Sequence, residues 1–470
     1  MIRFILNDKE IVTGLHPGIT LLDFIRYNQH LVGTKIGCRE GDCGACTILT
    51  GEIKDGNLVY SSATSCLMPL ANAHGKHIVT IEGINLDGLN AVQQAFADEG
   101  ATQCGFCTPG FIVSLTGFCL GEQQPVYADA INAMNGNICR CTGYKSIERA
   151  AAVISKKMQE RNGHDAIRFA IENNVIPAYF TGIKERLDKI IDSGIDKAAP
   201  GNQARFLSGG TDLYVQMHDS IAEEPLVFMF DNPALKGIAQ EGNSCILGAS
   251  VTVSDIAGSG IFKNHFPGLE NYIKLVSSTQ IRNMATLAGN FANASPIGDM
   301  TIFFLALDAS LQLNSGNDKR TIKLCDFYKG YKQLDRKAGE FIEKIVFDLP
   351  KPDDHFNFEK VCKRTHLDIA SVNTAICLRM NGGIIEKAGL SAGGVGPVPL
   401  FLSGCSHFLA GKKPSWELVL ELVELAQHEI SPISDTRGSD AYKRLLLSQL
   451  IKAHFIRLFP SLQPEGLVNT

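Results

Sequence analysis

Residues 37–46 read GCREGDCGAC, and the fold of the chain turns on this stretch. Cys38, Cys43 and Cys46 stand at the spacing C-x4-C-x2-C, and Cys66 follows twenty residues later. That is the ligand spacing of a plant-type [2Fe–2S] cluster, in which each iron takes two cysteine sulfurs beside its two bridging sulfides. Three thiolates on one short loop require the chain to wrap closely. Gly37, Gly41 and Gly44 suit that wrapping, because glycine reaches backbone conformations closed to other residues. Their backbone N–H groups are expected to point at the sulfurs and tune the potential. The competing readings are a disulfide pair and a structural zinc site. Zinc sites usually show paired C-x2-C elements rather than this run.

Working outward, 470 residues suffice for about three domains. A hydrophobic content of 45% with 20% charged residues describes an ordinary globular protein. The net charge of -5 gives no reason to expect nucleic acid or an anionic membrane as partner. The start of the chain, MIRFILNDKE, has too short an apolar run for a signal peptide and alternates like a strand. No run approaches the ~18 apolar residues of a transmembrane helix. Fourteen cysteines without a secretion signal point to reduced thiols used as metal ligands, and so to a cytoplasmic metalloprotein.

Strands are expected at residues 2–6, 10–13, 47–49, 58–60 and 77–81. Thr20 reads as the N-cap of a helix whose apolar face carries Leu21, Leu22, Phe24 and Ile25. One helix across a small mixed sheet is a ferredoxin-like β-grasp, assigned to residues 1–75. Residues 76–161 change to helical spacing. Val92, Ala95 and Phe96 share one face; Phe111, Ser114 and Leu115 share another. Residues 126–134 and 146–161 supply two further helices, the last with Ile147, Ala150, Ala151, Ile154 and Met158 in register. Four such helices form a compact bundle. Two cysteine pairs sit at helix starts: Cys104 and Cys107 in QCGFCTPG, Cys139 and Cys141 in NICRCTGY. They suit a second [2Fe–2S] site. A thioredoxin-like redox pair at CGFC would need a βαβ context that is missing, and C-x-C is a poor half-site for zinc.

QERNGHD at 159–165 reads as a linker, followed by helices at 166–174 and 182–193 and a strand from 204 to 207. The strand runs into Ser208-Gly209-Gly210-Thr211-Asp212-Leu213. A glycine pair after a strand leaves N–H groups open to a pyrophosphate, although taken alone the stretch reads more readily as a plain turn. The third glycine of G-x-G-x-x-G is absent, so no Rossmann dinucleotide site is read here. Residues 279–299, TQIRNMATLAGNFANASPIGD, are rich in small, amide and hydroxyl side chains where a core would be aliphatic. Thr286, Gly289, Asn290, Asn293 and Ser295 suit the lining of a polar ligand, with Asp299 on a sugar hydroxyl. Lys360 and Arg364 stand four apart before an apolar strand, either at a ligand or on a solvated edge.

Strands at 341–349, 369–378 and 384–390 and helices at 416–429 and 440–459 complete the pattern. AGGVGPVP at 392–399 reads as a turn between strand and helix. Cys119, Cys245, Cys325, Cys362, Cys377 and Cys405 are expected to be buried thiols, and the twelve histidines fall in no ligand or triad spacing.

GCREGDCGAC, QCGFCTPG and GNICRCTGY, followed by FLSGGTDL and TLAGNFANASPIGD, closely resemble the xanthine dehydrogenase family of molybdenum hydroxylases over nearly the whole chain. The resemblance implies an α+β multidomain fold: a β-grasp domain, a four-helix [2Fe–2S] domain, a two-part α/β FAD-binding domain (162–350) and a C-terminal α/β domain (351–470). It implies one cluster on Cys38, Cys43, Cys46 and Cys66, and a second, nearest molybdenum, on Cys104, Cys107, Cys139 and Cys141. Gln103 matches a residue that approaches the molybdopterin. Leu207, Ser208, Gly209, Gly210, Thr211, Asp212 and Leu213 would lie along the FAD pyrophosphate. Thr286, Gly289, Asn290, Asn293 and Asp299 would contact flavin, ribityl and phosphate groups, with Lys360 near the isoalloxazine. Two departures from the animal enzymes stand out: an aliphatic near Val276 where their flavin has a stacking aromatic, and a less acidic loop, THLD, after Arg364.

Relatives built as one long chain continue into molybdenum domains, whereas this sequence stops at Thr470, like the small subunit of the split bacterial form. The implied role is electron transfer: from molybdopterin in a large partner subunit through both clusters to FAD and then NAD, as hypoxanthine and xanthine are oxidised to urate. No residue of this chain would then act on the purine. A dimer of heterodimers is the expected assembly. Two other readings share these motifs: the same role in a molybdenum hydroxylase for aldehydes or N-heterocycles, and a free-standing iron–sulfur flavoprotein carrier.

Overall fold

Along the first strand, Ile2–Leu6, only Arg3 is exposed, so both faces of the strand are covered. Phe4 and Leu6 pack with Leu21, Leu22 and Phe24, while Ile5 packs with Ile183 and Leu187 of the helix Ile183–Ile191. This computed structural model describes residues 1–122, 124–191, 204–316, 318–364 and 366–462. The end of the expected helix at 192–193 and Thr365 of the THLD loop lie outside the described residues. The chain divides into two units, Met1–Phe230 with Ser278–Ala285, and Asp231–Ser277 with Thr286–Thr470.

In the first unit, a five-stranded sheet has the order Lys9–Thr13, Ile2–Leu6, His77–Val79, Thr47–Lys54, Asn57–Thr64. Ile2–Leu6 and His77–Val79 run parallel and the other neighbours antiparallel, as a β-grasp requires. Thr20 caps the expected helix, its hydroxyl accepting from Asp23 N at 3.1 Å. The α-helical part is a single turn, Leu21–Asp23, which continues as a π-helical turn, Phe24–Asn28. The helical part follows its spacing closely. Ala91–Asp98, Thr108–Cys119, Tyr127–Ala133 and Lys145–Gln159 bury Val92, Phe96, Phe111, Leu115, Ile147 and Ile154 in one core. A two-stranded parallel pair, Arg205–Leu207 with Leu226–Phe228, completes the strands of this unit among the described residues.

Among the described residues the second unit holds a two-stranded antiparallel sheet, Tyr328–Gly330 with Gln333–Leu334, and two larger antiparallel ones. One has the order Lys319–Lys323, Ser310–Asn314, Phe341–Asp348, Ser244–Gly248, Ile238–Glu241. The other joins His355–Val361, Val372–Asn381, Ile384–Gly393 and Leu400–Phe401, and packs against Ser403–Leu409, Trp416–His428 and Asp440–Leu458. Here the strands come first and the helices after them. Consecutive strands can pair through tight turns, which is why this sheet is antiparallel. Residues 392–399 turn the chain between two strands, Ile384–Gly393 and Leu400–Phe401, and not between a strand and a helix as expected, because Leu400–Phe401 adds to the sheet before the helix begins. Among the described residues no helix is long and apolar enough to cross a membrane.

Candidate functional site: two cysteine centres and a flavin segment

The hairpin of Thr47–Lys54 and Asn57–Thr64 solves the problem of bringing Cys66 to the loop. Its register sets Thr47 opposite Thr64, so the residues just outside, Cys46 and Ser65, meet. Ser65 donates to Cys46 O from both its N–H (3.3 Å) and its hydroxyl (2.7 Å). Cys66 then sits in the turn Ser65–Leu67 with its sulfur hydrogen-bonded to that of Cys46. Cys38 and Cys43 form the other sulfur pair. Glu40 and Asp42 N–H donate to Cys38 Sγ at 3.3 and 3.4 Å. The loop reaches this geometry through left-handed φ angles of 75° at Gly41 and 67° at Gly44. Cys38 is drawn down to about 5, first by the hydrogen bond from Cys43 and then by the N–H groups of Glu40, Cys43 and Asp42. That favours the thiolate, which is the form that binds metal.

The second set pairs in the same way. Cys104 Sγ and Cys141 Sγ lie 3.7 Å apart, and Cys107 is hydrogen-bonded to Cys139. Burial pushes the Cys139 thiol up, but the Thr142 hydroxyl and N–H and the Cys141 N–H outweigh it and hold it low. Cys104 and Cys141 are exposed, as is Gln103 beside them. Among the described residues, no three His, Cys, Asp or Glu side chains converge on one point as a single ion would need. Two facing pairs at each site are what two irons with two cysteines apiece require, and the donors fit [2Fe–2S] groups.

The residues expected at FAD divide between the units. In the first, Leu207 ends its strand fully buried, and Ser208 O accepts from Asn72 Nδ2 at 3.0 Å. Ser208 Oγ is buried without a hydrogen-bond partner, an atom that a polar ligand would satisfy. A Cβ at Gly209 would overlap the Met284 carbonyl oxygen, and one at Gly210, where φ is 82°, would lie 2.5 Å from Leu67 O. Packing alone therefore demands both glycines. Thr211 is half-buried, and Asp212 precedes the short helix Leu213–Met217 without capping it.

In the second unit, Thr286 caps Leu287–Asn293, its hydroxyl accepting from Gly289 N at 3.3 Å. Asn290 Oδ1 accepts from Thr301 N and Oγ1, and Asn293 Oδ1 accepts from Lys332 Nζ at 2.9 Å. Asp299 and Lys360, far apart in sequence, meet in an ion pair at 2.7 Å, and the Lys360 side chain is 0% exposed. Lys360 Nζ also donates to Leu275 O, and Asn373 Nδ2 donates to the other Asp299 oxygen at 2.6 Å. Asn373 was not among the expected residues. Its signal was there: a buried amide near the start of the largely apolar strand Val372–Asn381.

The residues named for a ligand in 279–299 all lie in the second unit, whereas Ser278–Ala285 belongs to the first, where Thr279, Gln280 and Asn283 are spent on contacts inside that unit. One expectation here needs correction: the six remaining cysteines are not all buried. Cys325 is exposed and Cys362 half-buried, while Cys119, Cys245, Cys377 and Cys405 are interior.

Four family models match the chain in sequence order. They describe a 2Fe–2S iron–sulfur cluster binding domain (residues 4–71), a [2Fe–2S] binding domain (80–152), an FAD binding domain in molybdopterin dehydrogenase (190–352) and a CO dehydrogenase flavoprotein C-terminal domain (358–458). Together with the relatives below, these matches support the iron–sulfur and flavin part of the xanthine dehydrogenase/molybdenum hydroxylase family. Xanthine dehydrogenase of Emericella nidulans is 27% identical over 478 residues, covering 88% of this chain and 35% of the relative. Xanthine dehydrogenase 1 of Arabidopsis thaliana is 27% identical over 518 residues, covering 92% and 38%. The chain thus spans little more than a third of the length of these relatives. Among solved structures, carbon monoxide dehydrogenase from Hydrogenophaga pseudoflava is 26% identical with a TM-score of 0.53, covering 56% of this chain and 92% of that one. Quinoline 2-oxidoreductase from Pseudomonas putida 86 is 25% identical with a TM-score of 0.50, covering 55% and 90%. The proteins this chain resembles are thus named for quite different substrates.

Proposed function

We propose that this chain is the electron-transfer part of a xanthine dehydrogenase, serving a molybdenum site in a large partner subunit and delivering electrons to FAD and then NAD. The observation that carries the reading is the two-and-two arrangement of sulfurs at both cysteine sets, in a chain whose next segment matches a flavin domain. When bound, the clusters supply one-electron steps and FAD supplies the exchange of two electrons with hydride. Cys38 with Cys43, and Cys46 with Cys66, each hold one iron of the first cluster in this reading. Cys104 with Cys141, and Cys107 with Cys139, do the same for the second. The N–H groups of Glu40 and Asp42 stabilise added negative charge at Cys38 and so raise the potential there. The turn 207–213 is proposed as a phosphate-binding element. Thr286, Gly289, Asn290, Asn293, Asp299 and Lys360 are proposed as FAD contacts, with Asn373 holding Asp299 in place. Gln103, exposed beside Cys104, is proposed to face the molybdopterin.

Xanthine is favoured by the names of the full-length relatives. A second reading, the same role with another substrate, is favoured by the structural likeness to carbon monoxide dehydrogenase and quinoline 2-oxidoreductase. The test is anaerobic. The purified complex should bleach across its iron–sulfur and flavin bands on adding hypoxanthine or xanthine, and recover on adding NAD. Bleaching by quinoline, an aldehyde or carbon monoxide but not by purines would replace the substrate. Recovery with oxygen but not NAD would replace the acceptor.

A further inference from the structure

A backbone hydrogen bond joins the two cysteine loops. Ile138 N donates to Cys43 O at 3.0 Å, and Ile138 is the residue before Cys139. One backbone hydrogen bond, with covalent chain on either side, therefore joins a cysteine of the first set to a cysteine of the second. Around this bridge lies a buried polar network. Asn137 Nδ2 donates to Gly44 O at 3.0 Å and Thr47 Oγ1 at 3.2 Å, while its Oδ1 accepts from Ser114 Oγ at 2.7 Å. Gln280 Nε2 closes the network, donating to Ser114 Oγ, Ala133 O and Asn137 Oδ1 at 3.0–3.2 Å. Gln280 is 0% exposed and Asn137 5%.

We propose that Gln280 and Asn137 are positioning residues that hold the Cys43–Ile138 backbone bridge, and with it the coupling between the two cysteine centres. The proposal rests on the cluster reading above. Three features separate it from plain core packing. The amide of Asn137 grips Gly44, inside the first cysteine loop, while its own backbone adjoins the bridge residue. Gly44, Gly110 and Gly136 let the two loops close on it: a Cβ at Gly44 would come 2.5 Å from Asn137 Nδ2, and one at Gly136 would overlap Gln280 Oε1. Gln280 Oε1 is itself buried without a partner, a cost that an apolar side chain would avoid. Stability is given up here for a directional contact. Electron exchange between the centres is balanced simply: one loses the electron the other gains, and no bond or proton moves.

The test uses the holoenzyme carrying Gln280→Met, which keeps the side-chain length and removes the donors. Iron content and two separate reduced-cluster resonances should persist. The magnetic interaction splitting between the reduced clusters should change, and hydrogen exchange at the Ile138 amide should quicken several-fold. Asn283→Ala, on the same segment but bonded to Ser62 O, should alter neither. Splitting and exchange like the parent's in Gln280→Met would overturn the proposal, as would an equal change in Asn283→Ala. Should Gln280→Met fail to fold, Ser114→Ala removes one hydroxyl from the network: a smaller change in the same direction supports the proposal, and none overturns it. A parent protein with fewer than two clusters would instead sink the cluster reading itself.

Discussion

Cys43 is paired with Cys38 alone, so its loss should be local. Cys43→Ser is expected to leave about two irons per chain where about four were bound, with FAD retained and NAD reduction by substrate cut sharply. Iron and flavin assays on one preparation check this, and full NAD reduction with that cluster absent would show the relay to be ordered differently. Lys360 and Asp299 make a contrasting case. Removing the cation by Lys360→Ala strands a carboxylate that is only 14% exposed, at a cost of about 3–5 kcal/mol in urea unfolding. Two histidines set a pH dependence. His454 is fully buried, accepting from Asn357 Nδ2 and donating to Thr374 Oγ1, and burial pushes it down to about 3. His77, between Tyr60 OH and Asn7 O, is likewise pushed to about 3 by burial. Their folded values lie below the unfolded ~6.5, so the unfolded chain takes up protons that the fold refuses. Stability is therefore fully present above pH ~6.5 and falls as pH drops toward 3, by up to about 1.4 kcal/mol per pH unit for each histidine. His454→Gln should flatten the decline between pH 6.5 and 5.5 in thermal melts; an unchanged slope would mean His454 protonates inside the fold.

Helices and loops show where packing overrides local preference. Gly110 lies in the first turn of Thr108–Cys119, where alanine would ordinarily help by about 1 kcal/mol. A Cβ there would overlap Gly44 O, backbone of the first cysteine loop, and backbone cannot step aside. Gly110→Ala should thus lower the melting temperature and the iron content together, and a stabilised variant would refute the close approach. Much at this scale was legible in advance. Helical spacing marked Ile147, Ala150, Ile154 and Met158, and they are buried; Thr20 marked a helix start. Other features carry no local signal. The pairing of Cys46 with Cys66 depends on hairpin register, and the buried ion pair joins residues sixty-one apart. Ser278–Ala285 misleads because amides and hydroxyls that serve a core network look the same in sequence as those that serve a ligand.

For the molecule as a whole, four segments in order carried the fold class, because cysteine spacing is a stringent pattern and strand and helix periods differ. The substrate left no comparable mark: none of the site residues named in this chain is proposed to touch it, and relatives of similar likeness are named for xanthine, carbon monoxide and quinoline. The central claim, an electron-transfer part working beside a molybdenum centre, is reached most directly by purifying the chain from its native host with whatever accompanies it and assaying metals and flavin. About four irons and one FAD per chain, with molybdenum in a larger companion protein, is the predicted result. Iron and FAD in an isolated chain, with neither molybdenum nor a companion, would contradict it and leave a free-standing carrier.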